Sequence, residues 1–353
     1  MISPSIYLER DSLSKLPTLL PQLAQASQLI LMTHPSLLAL YGSSWIKTFK
    51  QLNPHCTVLE VAEGEQMKSL TQAIRCWGEL AHRKVDRHAA LIALGGGVVC
   101  DLAGFVGSSY LRGIQTYYFP TSLMAMVDAA IGGKTGVNAY GKKNFIGTFY
   151  SPCAVVIDPS YLQTLPLREL RSGLAEVIKY GMIDQARLFN FLEEHHQLLQ
   201  NQTSSLWDSL ILDCIAIKQK FVNQDPFDTT GQRAYLNYGH TFGHALESAT
   251  RYRLFSHGEA VAIGMSCAAH FSQLLGLINQ QIVERQDDLL KKFALPTTFH
   301  QIKPLQLIKL MKSDKKGICG KIHLILPTGI GKVLKVTDVN PLLLRQTLLA
   351  KMR

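Results

Sequence analysis

The chain lacks an apolar run long enough to cross a bilayer. The longest, AALIALGGGVV at residues 89–99, is too short for a span and is broken by glycine, so no membrane partner is expected. It also lacks CxxC spacing. Its seven cysteines, an odd number scattered at positions such as Cys56, Cys76, Cys100 and Cys153, read as reduced thiols in the cytoplasm and not as a disulfide frame. The opening MISPSIYLERDS has no basic stretch ahead of an apolar core, so no secretory signal is expected. Internal repeats and low-complexity linkers are missing. Acidic residues are the scarcer charge: 26 Asp and Glu against 36 Lys and Arg give a formal net charge of +10. Nucleic-acid binding is not expected, because the cations are dispersed and no strip of interleaved aromatics accompanies them. A solvated basic surface plus a site for an anionic small molecule explains the balance better.

The 353 residues, 47% hydrophobic and 18% charged, suit a folded enzyme of about two domains. In the first part, short β-branched runs (QLILMTH at 28–34, CTVLEVA at 56–62, AALIAL at 89–94) alternate with helical patterns, which predicts an α/β domain with a parallel sheet. From about Leu167 helical patterns dominate, at 172–183, 205–222 and 257–276. KIHLILP and KVLKVT, joined by TGIG, predict one hairpin there. The boundary falls between 160 and 168, giving domains at 1–165 and 166–353.

The segment GHTFGHALE at 239–247, with SHGEA at 256–260, concentrates three histidines. At 3.6 residues per turn, His240 and His244 share a helix face and read as two ligands of one divalent ion, with His257 close by. Helix histidines satisfied by carbonyls or carboxylates are the alternative. Gly95, Gly96 and Gly97 end a buried strand and open a helix, where backbone can approach a phosphate at the positive end of the helix dipole. The literal GxGxxG fails, because Cys100 stands at the third glycine, and a tight structural turn remains possible. Residues 127–144 hold Lys134, Lys142, Lys143, two asparagines and Gly132-Gly133, a phosphate-directed composition without Walker A spacing, so ATP hydrolysis is disfavoured. EGEQMKS at 63–69 either meets a ribose or starts a helix with Glu65 and Ser69 as caps.

Taken together, EGEQMKS, GGGVVCDLAGF, YLRGI, FPTSLMAMVDAAIGGKTGVN, KKNFIGTFY, SGLAEVIKYG, LNYGHTFGHALE, SHGEA and SDKKG, in that order, resemble the 3-dehydroquinate synthase family of sugar phosphate cyclases. The resemblance implies a Rossmann-like NAD-binding α/β domain followed by a mainly α-helical metal-binding domain. It implies metal ligands Glu176, His240 and His257, holding zinc or cobalt and leaving His244 for the substrate. NAD contacts would be Glu65, Lys68, Gly96, Gly97, Asp101, Thr121, Ser122, Lys134, Lys143 and Thr164. Substrate and catalytic contacts would be Asp128, Lys134, Asn144, Lys179, Lys218, Arg233, Asn237, His244 and Lys315 or Lys316, with Arg112 reaching in from the second subunit of a homodimer. The implied substrate is 3-deoxy-arabino-heptulosonate 7-phosphate, whose carboxylate and phosphate match these cations. Against the family pattern, Cys100 replaces a glycine, Ser122 a threonine and Gln163 a lysine, and residues 225–233 (DPFDTTGQR) carry Pro226 and Asp228 where glutamate is usual. Two related functions stay in view: a sister cyclase acting on a neutral sugar phosphate, and a metal-dependent polyol dehydrogenase with net redox output.

Overall fold

In the computed structural model, which describes residues 4–312 and 322–353, strands form where β-branched and apolar runs are bounded by turn residues. Lys315 and Lys316 lie outside the described residues. The chain divides into two compact units, Met1–Leu165 and Pro166–Arg353.

In the first unit, strands β1 (Ser5–Leu8), β2 (Leu29–Thr33), β3 (Cys56–Glu60), β4 (Ala90–Gly95), β5 (Gln115–Pro120) and β8 (Ala154–Ile157) make one sheet in the order β1-β8-β5-β4-β2-β3. Every pairing is parallel. The central strands are buried along their whole length, which is why they read as continuous apolar runs and not as alternation. Helices α1 (Ser43–Leu52), α2 (Leu70–His82) and α3 (Gly97–Ser109) follow β2, β3 and β4. β2 leads outward to β3, whereas β4 leads the other way to β5, so the strand order reverses between β2 and β4. Trp45 anchors α1 in the core, with Phe49 and Phe119 ring centroids at 5.1 and 4.7 Å. Ser69 caps α2 by accepting from the Gln72 N–H, as the capping reading of EGEQMKS expects.

The sequence reading placed no strands at 134–149. The structure forms an antiparallel hairpin there, β6 (Lys134–Ala139) and β7 (Lys142–Phe149), closed by Tyr140 and Gly141 at φ 51° and 71°. Two left-handed residues are what a two-residue hairpin turn demands. The pattern was hidden because Gly136 and Gly147 interrupt the apolar alternation. They sit where strands crowd: a Cβ on Gly147 would lie 2.2 Å from the Thr135 carbonyl oxygen. Thr148 Oγ1 donates to Ser108 Oγ (2.8 Å), tying the hairpin to α3.

The second unit is mainly helical: α4 (Leu167–Ile183), α5 (Ala186–His195), α6 (Leu206–Gln224), α7 (His240–Ala249), α8 (His257–Leu274), α9 (Gln280–Lys292), α10 (Pro304–Lys312) and α11 (Pro341–Lys351), with the hairpin β9 (Leu324–Gly329) and β10 (Lys332–Val336). Almost all of α8 is buried, so its apolar residues run round the whole helix instead of forming a stripe. A capping box, Ser256 with Glu259, fixes where α8 starts. Among the described residues no helix is long and apolar enough to cross a membrane.

Helices α4, α7 and α8 touch through backbone. A Cβ on Gly264 would stand 2.0 Å from the Gly239 carbonyl oxygen, and one on Gly258 2.1 Å from that of Ser172. Gly264→Ala therefore has to push helices apart, and its urea midpoint should fall by the equivalent of about 1–3 kcal/mol. Gly78→Ala, at an exposed position of α2 with nothing within 4 Å of the added carbon, should instead gain about 0.5–1 kcal/mol from helix propensity. Equal losses in the two variants would refute close helix contact as the reason for Gly264.

Candidate functional site

The close crossing of α4, α7 and α8 brings one side chain from each to a single point. The ligand atoms of Glu176, His240 and His257 all lie within 4.8 Å of one another. Glu176 Oε1 is 3.5 Å from His240 Nε2 and 3.7 Å from His257 Nε2, too far for hydrogen bonds and suited to a shared ion. Glu176 is 1% exposed, and its other oxygen pairs with Lys179 one turn along α4. His240 Nδ1 lies 3.1 Å from the Tyr238 carbonyl oxygen, which can only accept, so the proton sits on Nδ1 and Nε2 keeps its lone pair. Burial, followed by the charge of Lys179 and the neighbouring histidines, holds the His240 pKa well below its ordinary value and keeps the ring neutral. His257 Nδ1 is likewise 3.3 Å from Glu247 Oε1.

The helix-face pairing of His240 with His244 is not the set that converges. The His244 ring stands 5.5 Å from that of His240 and 6.2 Å from that of His257, beside the cluster but outside the triad. Helical spacing gave the face correctly and missed the carboxylate, which comes from α4, more than sixty residues away in sequence.

The second unit also buries cations. Lys179 is 1% exposed and Arg233 3%, and Lys218 is buried on α6. Arg233 and Asn237 belong to the 3₁₀ turn Gln232–Asn237, on which both α4 and α6 pack. Asn237 Nδ2 donates to the Ala234 carbonyl (3.1 Å), and Arg233 to that of Pro226 (3.2 Å). The loop ahead of this turn, which departs from the family pattern, is organised by Asp225. Its carboxylate accepts the backbone N–H groups of Thr229 (2.8 Å), Thr230 (3.1 Å) and Arg233 (3.3 Å). Burial pushes the Asp225 carboxyl up, but these bonds outweigh it and hold its pKa well below the usual carboxylate range.

In the first unit, the expected nucleotide contacts gather where chain leaves the carboxyl ends of strands. Gly96 and Gly97 open α3 directly after β4. Cβ atoms there would meet Ser122 Oγ at 3.3 Å and the Ala129 side chain at 3.0 Å, so the glycine turn abuts the Thr121–Ser122 segment that follows β5. Thr121 donates its N–H to the Gly95 carbonyl (3.0 Å). Asp128 lies in the wide turn Ala125–Ala129 and acts electrostatically on Asp101. Lys68, after β3, forms an ion pair with Asp101 on α3. Burial raises the Asp101 pKa, and Lys68 works against that rise. Thr164 ends the 3₁₀ segment after β8, where its hydroxyl meets Tyr41. Lys134 is the first residue of β6, and Lys143 and Asn144 stand near the start of β7. Arg112 is not with them. It lies exposed beyond the far end of α3, which carries the chain about 20 Å from the glycine turn.

Cys100 is fully buried, its Sγ 3.8 Å from the Gly95 carbonyl oxygen, and burial pushes its thiol up far from reactivity. The position accepts a side chain that packs in the core beneath the first glycine of the turn. Sequence reasoning passed over Asn138, Glu247 and Asp225. Glu247 had a readable signal, standing seven residues from His240 and so two turns along the same face.

Residues 58–172 match the family model for the 3-dehydroquinate synthase N-terminal domain, and residues 173–317 that for the C-terminal domain. The 3-dehydroquinate synthases of Desulforamulus reducens and Gloeobacter violaceus are each 41% identical, over 95% and 99% of this chain and 93% and 96% of their own. Among solved structures, ValA, a 2-epi-5-epi-valiolone synthase of Streptomyces hygroscopicus with NAD+ and Zn2+ bound, is 27% identical, with a TM-score of 0.91 over 99% of this chain and 97% of its own. Butanol dehydrogenase A of Thermotoga maritima, 14% identical with a TM-score of 0.69 over 100% and 98% of the chains, shares the fold. With both family halves matched in order and full-length relatives near two-fifths identity, the chain belongs to the 3-dehydroquinate synthase family.

Proposed function

We propose that the chain converts 3-deoxy-D-arabino-heptulosonate 7-phosphate to 3-dehydroquinate and phosphate. The observation that carries this is the convergence of Glu176, His240 and His257 beside the buried Lys179, in a member of that family. The triad fits a zinc or cobalt ion: one carboxylate oxygen, buried and without a hydrogen bond among the described residues, faces two imidazole nitrogens whose other nitrogens meet acceptors. The first unit fits NAD: glycine backbone opens α3 beside the β2/β4 reversal of strand order, as in Rossmann-like nucleotide sites.

A metal held by Glu176, His240 and His257 would supply polarisation of the hydroxyl to be oxidised, and NAD on the glycine turn would supply reversible hydride acceptance, so that no net redox change would result. The chain's residues do the rest. Lys179, Lys218 and Arg233 hold the carboxylate and phosphate, and their burial strengthens each charge-assisted bond. Asp225 holds the backbone of Arg233 and so the origin of its guanidinium. His244, beside the ligand cluster yet outside it, is the candidate to move a proton. Lys134 and Asn144 on the hairpin supply polar contacts to the substrate, with Asp128, and Lys315 contributes from outside the described residues. Glu65, Lys68, Gly96, Gly97, Asp101, Thr121, Ser122, Lys143 and Thr164 meet the nucleotide. We place the enzyme in the cytoplasm as a homodimer in which Arg112 of one subunit completes the site of the other. Its exposure and its distance from its own glycine turn support that role.

Metal analysis of purified variants separates ligand from acid–base residue. His257→Ala should lose bound zinc or cobalt, whereas His244→Ala should keep it and lose turnover by about 10²–10⁴-fold. Equal metal loss in both would return His244 to the ligand set.

Incubation with NAD, zinc or cobalt and the heptulosonate phosphate should release phosphate and 3-dehydroquinate in equal amounts with no lasting NADH absorbance. Phosphate release from sedoheptulose 7-phosphate alone would make the chain a sister cyclase, and accumulating NADH a dehydrogenase.

A further inference from the structure

Asn138 has no role in the site assignments above, yet it joins two of the segments they use. Its backbone N–H donates to the Lys68 carbonyl (2.7 Å). Its side-chain Nδ2 donates to both the Glu65 carbonyl (3.2 Å) and Glu65 Oε1 (2.9 Å). Its Oδ1 accepts the backbone N–H of Asn144 (2.9 Å). Both ends of the carboxamide are therefore engaged, and flipping it would set donor against donor at Asn144. Asn144 adopts a left-handed backbone, φ 47°, at the point where it meets Asn138 across the hairpin. The 65–68 turn is tied in addition to α3 through the Lys68–Asp101 ion pair. A continuous set of bonds thus runs from α3 through Lys68 and Asn138 to Asn144.

We propose that Asn138 is a positioning residue that locks the hairpin bearing Lys134, Lys143 and Asn144 to the Glu65–Lys68 turn, so that a nucleotide seated on that turn also sets the hairpin's register toward substrate. This rests on the nucleotide reading given above. An amide is required because the same side chain must donate to a carboxylate on one side and accept an amide proton on the other. An aspartate keeps the second bond and turns the first into a repulsion between two carboxylates.

Two readouts test this in the full-length protein. In the absence of any ligand, Asn138→Ala should speed hydrogen exchange of the Asn144 amide by about tenfold, one hydrogen bond's worth, while amides of β4 and β5 keep their protection. Unchanged exchange at Asn144 would overturn the proposal. For the nucleotide side, Asn138→Asp should weaken NAD binding by about tenfold in the wild-type background. It should weaken it by less than about twofold in a Glu65→Gln background, where the new amide donates to the new carboxylate. The same loss in both backgrounds would overturn the coupling to Glu65. Failure of the wild-type protein to bind NAD would sink the nucleotide reading by itself, and the exchange result would still decide whether Asn138 holds the hairpin.

Discussion

A carboxylate and two imidazoles from three separate helices meet at one point in this chain, and around that point the helix backbones come closer than ordinary side chains permit. Gly239, Gly243, Gly258 and Gly264 are where they do so. The glycines around the histidines in the sequence suggest chemistry, but their physical task is packing: Gly258 admits the backbone of Ser172, and Gly264 that of Gly239. Gly239 also takes a left-handed conformation, φ 79°, immediately ahead of α7, which starts the helix at His240. The same contact seats His257, since the N–H of Gly258 donates to Ser172 Oγ at 3.0 Å on the helix that carries Glu176. Ligand geometry and helix packing are here one constraint.

Around the triad, each imidazole is oriented by its own outer partner. Tyr238 supplies the carbonyl for His240, and its own hydroxyl is held by Gln286 (2.5 Å) and the Met265 carbonyl (3.3 Å), so α8 and α9 both restrain the residue that orients this imidazole. Glu247 does the same for His257 from α7. Because His240, His244 and Glu247 follow one another at helical spacing, one face of α7 supplies a member of the triad, a neighbour of the triad and an orienting carboxyl. Partners of this kind fix which nitrogen carries the proton before any ion arrives, which lowers the reorganisation that binding requires.

Much of this was legible in the sequence. The apolar runs at 28–34, 56–62 and 89–94 became β2, β3 and β4, and the long helical patterns became α4, α6 and α8, because burial selects apolar residues and run length tells a short strand from a long helix. The hairpin at 134–149 was not legible, since glycines chosen for close strand approach erase the alternation that marks a strand. Nor could spacing alone yield the ligand set. A helix period states which residues share a face but says nothing of which distant segment faces them, so Glu176 entered through family resemblance and the geometry then brought it to His240 and His257. Asn138 was invisible for a related reason: its partners are backbone groups and a carboxylate some seventy residues earlier.

Arg112 shows how topology constrains a residue that local chemistry leaves unexplained. In an all-parallel sheet every loop leaving a carboxyl end lies on one edge, and every loop entering an amino end lies on the other. The glycine turn, Thr121 and Thr164 follow strands, whereas Arg112 precedes β5 by three residues and so belongs to the opposite edge. Leu111 and Arg112 are both left-handed, at φ 49° and 68°, an unfavourable conformation for side chains of that size. Folding stabilisation from elsewhere has to sustain that strain, and the sheet edge on which it is stored is remote from the glycine turn. A guanidinium presented outward there cannot be explained by contacts to the glycine turn of its own chain, and that separation is what the proposed dimer accounts for.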